Sequence, residues 1–259
     1  MALRSVALTI AGSDPSGGAG LQADLKTFHQ LGVSGEAVIT IVTVQNTRGV
    51  SRVECLDPEL VCGQLQAVLE DIPPAAAKTG ALGNSAIVSA VARAAANFSF
   101  PLVIDPVMIG KHGAPLMSEE ARAVVARELV PRAFLLTPNL HEAAALTGLP
   151  VGTVEEMRRA ALKLHEMGAA AVLVKGGHLE GDAIDVLLAH GEWNEFPAPR
   201  FQTRHTHGTG CTYSAAITAH LALGCGLKEA VSLAKRFITE AIRANPGLGG
   251  GSGPVNHWV

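Results

Sequence analysis

The sequence predicts an α/β protein: a doubly wound, mostly parallel central sheet with helices on both faces and a late antiparallel hairpin. Three observations carry this expectation. Apolar runs of strand length alternate with segments of helical periodicity along the 259 residues. The connections between them are mostly short. Polar residues and glycines collect where the expected strands end, at Asp14, Gln45, Asp105, Asn139 and Lys175, and open α/β sheets bind ligands at those ends.

Taken in order, residues 5–11 (SVALTIA) read as a first strand. Residues 20–32 place Leu21, Leu25, Phe28 and Leu31 at helical spacing. The β-branched run 37–44 reads as a buried strand, and 58–72 as a helix capped by Asp57. A short strand is expected in 75–82 and a helix over 84–98. Strand 101–107 ends at Asp105-Pro106, helix 118–130 starts at Ser118, and strand 133–139 ends at Thr137-Pro138. The next two helices each begin with a capping-box pattern, Asn139 with Glu142 and Thr153 with Glu156. Residues 170–177 form a strand, and 183–199 a hairpin turning at His190-Gly191. Helices over 209–223 and 227–244 and a Gly/Pro-rich tail complete the chain. No repeat or linker divides it, so residues 1–259 are expected to form one domain.

Hydrophobic residues make up 48% of the chain, and only ten residues are aromatic. A core of small aliphatics suits helices packed closely on parallel strands. The net charge is −3 and no Lys/Arg block occurs, which argues against nucleic acid as a partner. No apolar run reaches the roughly 20 residues of a membrane span. The start, with Arg4 before an apolar stretch, mimics a short leader, but that stretch flows into a Gly-rich loop and reads as a strand. Cys55, Cys62, Cys211 and Cys225 form no CxxC pair, so a reducing, cytoplasmic setting is expected.

Four stretches carry chemistry. In "GSDPSGGAGLQADLKT" (12–27) glycines ahead of a helix leave backbone N–H groups open to an anion or a polar ring. Its Gly18-Ala19-Gly20 pattern meets the loose dinucleotide fingerprint, but too many residues separate it from the strand. "VIDPVM" (103–108) and "TPNLHEA" (137–143) offer Asp105 and Glu142 as oxygen ligands for magnesium, or else as a turn residue and a cap. "VLVKGGH" (172–178) sets Lys175 at a strand end, able to reach a phosphate or to lie along the sheet edge. In "HGTGCTYSAAI" (207–217) Gly208 and Gly210 precede a helix, so the N–H groups of 209–212 are expected to form an anion site. Cys211, in the first turn, is expected to have a lowered pKa, or else to be only a buried small residue. Gly110-Lys111 lacks the rest of a Walker phosphate loop, and His205 and His207 have no acid near in sequence to orient them.

Together with "VQNTRGV" and the closing "GSGPVNH", these stretches resemble the hydroxymethylpyrimidine/phosphomethylpyrimidine kinases, the thiamine-biosynthesis branch of the ribokinase-like superfamily. The resemblance extends over almost the whole chain, in order. It implies ATP and Mg²⁺, a homodimer, and two phosphorylations: of 4-amino-5-hydroxymethyl-2-methylpyrimidine, then of its monophosphate to the diphosphate. It further implies Gln45 on the pyrimidine ring with Gly12, Ala19 and Val107 lining that pocket. Asp105 and Glu142 match the magnesium and phosphate region, Asn139 and Thr209 the nucleotide phosphates, Lys175 a phosphate contact, and Gly208 to Cys211 the anion hole. Two positions depart from wider patterns: Cys211 stands where sugar kinases of the superfamily carry Asp, and Ala81 where many pyrimidine kinases carry Met. Pyridoxal kinase, which shares that fold and ATP site, is the rival reading. A cysteine hydrolase built on Cys211 and a nicotinamide dehydrogenase built on the Gly18 loop are alternatives from other classes.

Overall fold

The structure, a computed structural model, describes residues 5–110, 113, 115–179 and 181–259; Arg4 and Lys111 lie outside them. In chain order the elements are β1 (Val6–Ser13), α1 (Gly20–Gln30), β2 (Ser34–Asn46), β3 (Gly49–Cys55), α2 (Pro58–Asp71), β4 (Ala76–Thr79), α3 (Ser85–Ala95) and β5 (Leu102–Ile104). There follow α4 (Glu119–Val124), β6 (Leu135–Leu136), α5 (Leu140–Thr147), α6 (Val154–Glu166), β7 (Ala171–Val174), β8 (Asp185–Ala189), β9 (Glu192–Phe196), α7 (Thr209–Ala222) and α8 (Leu227–Arg243). The helix expected over 118–130 is α only in its first part; it widens into a π turn at Val125–Leu129 and tightens to 3₁₀ at Val130–Arg132, beside Pro131.

One nine-stranded sheet runs in the order β3-β2-β1-β4-β5-β6-β7-β8-β9. The pairs from β2 to β7 are parallel, and β7, β8 and β9 are antiparallel neighbours. The expected hairpin turns at His190 and Gly191, both at positive φ. A second hairpin, β2–β3, was not legible: β3 is mostly exposed, with no buried face to leave a pattern, and it forms by pairing with the long β2. Alternate strand residues feed two cores. Leu8, Ile10, Leu102, Ile104 and Leu136 pack toward α2 to α6, whereas Ala7, Val103 and Leu135 pack toward α1, α7 and α8. Side-chain caps hold the helix starts at Asp57, Asn84 and Ser118, and both expected capping boxes form, each cap being worth about 1 kcal/mol.

The strand order reverses beside β1, because β2 lies on one side of it and β4 on the other. That leaves a crevice at the carboxyl ends of β1 and β4. Helix α7 packs against β1, β4 and β5 and lies between α1 and α8. It is buried nearly all round, as its small residues Ala215, Ala216 and Ala219 permit. Its N-terminus opens into the crevice. Among the described residues no helix is long and apolar enough to cross a membrane.

Candidate active site

A cavity of about 560 Å³ fills this crevice, a size typical of small-molecule sites. Every residue the sequence nominates lines it: Gly12, Ala19, Gln45, Asp105, Val107, Asn139, Glu142, Lys175, Gly208, Thr209, Gly210 and Cys211. Ala81 lies on the same wall.

One side is built from β1, β2 and the loop into α1. The β1–β2 register slips at Gly12, and a Cβ there would collide with Ile41. The β2–β3 register slips at Gln45. Such bulges re-aim side chains; here Val44 is exposed while Gln45 lines the cavity. The loop is held by buried Asp14, whose carboxylate accepts from Ser16 N at 2.8 Å, Ser16 Oγ at 2.9 Å and Ala19 N at 2.9 Å. Its fourth partner is His207 Nε2 at 2.7 Å. Burial alone would raise Asp14; the bonds from His207 and Ser16 outweigh it and hold the acid below its usual range. The expectation that no acid orients these histidines is therefore corrected for His207, which Asp14 holds from 193 residues away, and stands for His205 among the described residues.

The other side carries charge. A bridge between Asn139 and Lys175 continues the β6–β7 pairing past the strand ends. Lys175 Nζ reaches Asp105 Oδ1 at 2.7 Å, and Ser214 Oγ lies 3.3 Å from Asp105 Oδ2. Glu142 accepts from Asn139 N at 2.8 Å, while Asn139 Oδ1 accepts from Glu142 N at 2.9 Å. The cap reading of Glu142 thus holds, and the same carboxyl also faces the cavity. Burial pushes it up to about 7; Asp105 adds to the rise and Lys175 opposes it.

Between the two sides stands the N-terminus of α7. Gly208 is its N-cap at φ 79°, and a Cβ there would collide with the Gly18 carbonyl. Only glycine lets this turn press against the 12–20 loop. The expected donor set is narrower than 209–212, because Thr212 N already bonds Gly208 O at 2.8 Å and Thr209 N bonds Thr206 O at 3.4 Å, which leaves Gly210 and Cys211. Thr209 Oγ1 donates to Thr206 O at 2.8 Å.

The expected lowering of the Cys211 pKa is overturned: burial pushes the thiol up to about 12. Lys78 pulls it down, but Asp24 and Asp105 add to the rise. A helix N-terminus favours thiolate, yet desolvation is the larger effect here. A hydrolase using Cys211 as nucleophile needs a thiolate, which burial opposes, and a base bonded to it, whereas His207 Nε2 is bonded to Asp14 and Gln45 and not to Cys211.

Sequence reasoning also missed the pair under Cys211. Lys78 Nζ meets Asp24 Oδ2 at 2.8 Å, with both side chains fully buried, and Thr9 Oγ1 donates to the same oxygen at 2.6 Å. The available signal was a lysine in the all-buried strand β4 and an acid on the buried face of α1.

The phosphomethylpyrimidine kinase family model matches residues 14–256. The chain belongs to that family. As a kinase of this family it is 48% identical over 256 residues to a thiamine biosynthesis bifunctional protein of Geobacter sulfurreducens, covering 98% of this chain but 52% of that protein. It is 48% identical to a hydroxymethylpyrimidine/phosphomethylpyrimidine kinase of Haemophilus influenzae, covering 97% of this chain and 96% of the relative. Among solved structures, a phosphomethylpyrimidine kinase of Clostridium difficile superposes with a TM-score of 0.83 at 43% identity, over 92% of this chain and 100% of that one. A Bacillus subtilis pyridoxal kinase in an ADP complex superposes at 0.91 with 38% identity, over 98% of each chain. The expected ribokinase-like architecture is thereby shown, and the loop of residues 14–19 between β1 and α1 is too long for the pyrophosphate turn of a nicotinamide dehydrogenase.

Proposed function

We propose that this kinase transfers the γ-phosphoryl group of ATP to the hydroxymethyl group of 4-amino-5-hydroxymethyl-2-methylpyrimidine, and then phosphorylates the monophosphate to the diphosphate for thiamine biosynthesis. The proposal includes action in the cytoplasm as a homodimer on small molecules. One observation carries it: a single cavity sets an amide, Gln45, opposite a charged wall of Asp105, Glu142 and Lys175, with the α7 N-terminus between them.

Phosphoryl transfer is mostly positioning and charge stabilisation. In this reading Gln45 holds the pyrimidine edge, with Gly12, Ala19 and Val107 around the ring. The free N–H groups of α7's first turn, at Gly210 and Cys211, face the transferring phosphoryl, where charge develops. Lys175, with Asn139 and Thr209 beside it, steadies the nucleotide phosphates. Cys211 stays a thiol and marks the position of the acceptor hydroxyl rather than taking its proton.

Asp105 and Glu142 fit a magnesium ion, since both line the cavity and a cation beside Glu142 would restore the charge that burial opposes. Among the described residues no three His, Cys, Asp or Glu side chains converge, so such an ion would complete its shell with phosphate and water. When bound, it would neutralise charge on the phosphate oxygens.

Pyridoxal is the second reading, favoured by the pyridoxal kinase overlay and by the room beside Ala81. ATP consumption by purified protein should be measured with the pyrimidine alcohol, its monophosphate, pyridoxal and ribose. The alcohol and monophosphate are expected to give the highest kcat/KM; a lead for pyridoxal overturns the assignment.

A further inference from the structure

Gln45 Nε2 lies 3.2 Å from His207 Nε2 and Gln45 Oε1 lies 3.2 Å from Thr43 Oγ1, but the two ends of an amide have nearly the same shape and the hydrogen-bond network decides between this orientation and its flip. Which end of that amide is oxygen follows from the neighbours. Asp14 is surrounded by donors and held in its ionised form, so its carboxylate only accepts. His207 Nε2, 2.7 Å away, therefore carries a proton aimed at Asp14. An N–H of Gln45 facing that nitrogen would set donor against donor. The consistent arrangement turns Oε1 toward His207 and the NH₂ toward Thr43. Thr43 can receive it, because its own proton has an acceptor in Ser13 O at 2.9 Å. The imidazole is held in place by its backbone: His207 N donates to Gly253 O at 3.0 Å, and Val255 N donates to His207 O at 3.3 Å.

We propose that Asp14, His207 and Thr43 are positioning residues that set the polarity of the Gln45 amide and so select the ring it accepts. Thr43 takes the outer N–H, and the His207 N–H, shared with Asp14, faces the outer lone pair. The edge left for ligand has its acceptor on the His207 side and its donor on the Thr43 side. It matches a ring with an exocyclic amino group adjacent to an aza nitrogen, the amino group lying toward His207. Pyridoxal has no such amino–aza pair. This inference rests on the reading above that Gln45 meets the ring.

The test is a double-mutant cycle on kcat/KM for the pyrimidine alcohol and for pyridoxal, using Gln45→Ala, His207→Leu and the two combined. His207→Leu is expected to raise the pyrimidine KM about five- to tenfold, the worth of one buried hydrogen bond. It should leave kcat within about threefold and the ATP KM unchanged, and its effect should vanish when Gln45 is already Ala. His207→Gln, whose amide N–H reaches a similar point, should recover most of the loss. Thr43→Val, near-isosteric, should shift KM in the same direction by about threefold, and it carries the cycle if His207→Leu does not fold. Equal losses from His207→Leu in both backgrounds, or a parallel fall in kcat and ATP affinity, overturn the proposal. If Gln45→Ala changes no substrate's KM, the role of Gln45 falls and this inference with it. If wild type prefers pyridoxal, the substrate reading fails by itself, and coupling of Gln45 to His207 measured on pyridoxal then decides the wiring.

Discussion

Two lysine–aspartate pairs stand near the carboxyl ends of neighbouring parts of the sheet, and their chemistry is the same. Lys78 and Asp24 meet at 2.8 Å, Lys175 and Asp105 at 2.7 Å. The first is shut inside the protein, with both side chains 0% exposed, whereas Lys175 keeps 11% and lines the cavity. Burial would lower the Lys78 pKa, but Asp24, Cys211 and Asp105 together hold it above its usual value. That ammonium has no route to a ligand and serves the structure beneath Cys211. Lys175 sits where an anionic phosphate can compete with Asp105 for its protons. An ion pair's role is thus set by what its surroundings let in.

The largest expected effect lies in the closed pair. Lys78→Met should leave Asp24 buried without its counter-charge and cost about 3–5 kcal/mol. Urea unfolding measures it, and adding Asp24→Leu should recover much of the loss. Unchanged stability in Lys78→Met would contradict the closed, structural role. Lys175→Ala sharpens the contrast. Asp105 is itself almost wholly buried, but removing Lys175 opens its carboxylate to the cavity, so stability should fall by less than in Lys78→Met, about 1–3 kcal/mol. ATP kcat/KM should fall by about a hundredfold, roughly 2.7 kcal/mol, with little change in pyrimidine binding by calorimetry. Equal loss of both ligands would point to a folding defect.

Next comes pH. Glu142, pushed up to about 7, is mostly neutral at pH 6 and mostly charged at pH 8. A divalent cation prefers the charged form, so Mg²⁺-nucleotide affinity should rise by up to about tenfold across that range, and Glu142→Gln should flatten the rise. The sign for stability is opposite. Between its ordinary value of 4.5 and about 7 the folded state holds a proton that the unfolded chain releases, so this group's contribution falls as pH increases. Titration of nucleotide binding with and without the substitution separates the two.

The smallest effect is expected at Cys211. With its thiol pushed up to about 12, it stays protonated at any working pH. Cys211→Ser should therefore retain the fold and lose less than about tenfold in kcat. A kcat–pH profile with a limb below pH 9 that disappears in Cys211→Ser would restore the thiolate as base.

Much of the architecture was legible because local physics writes it into short stretches. Continuous apolar runs mark the buried strands β1 and β7, and period-3.6 burial marks α6 and α8; Asn139 with Glu142, and Thr153 with Glu156, announce helix starts from spacing alone. The tight turn at Gly208 and the polar residues following β5, β6 and β7 likewise marked one end of the sheet. Other features have no local signature. Strand β3 exists because β2 extends past β1 and offers it an edge, not because its own residues have a buried face.

By itself, the sequence determined the alternation of strands and helices, the caps, and the polar residues gathered at the strand ends, while the resemblance to a family implied the rest of the cavity lining. Those follow from interactions spanning a few residues and from which face of each element must leave water. Only the tertiary structure decided what charge each of those side chains carries and which way it is aimed. The Asp14–His207 bond joins residues 193 apart, and the Lys78–Asp24 pair residues 54 apart. The rise of Cys211 reverses a helix-terminus argument that was sound for an exposed turn. Desolvation and charge pairing depend on everything within a few ångströms, and that neighbourhood exists only once the chain has folded.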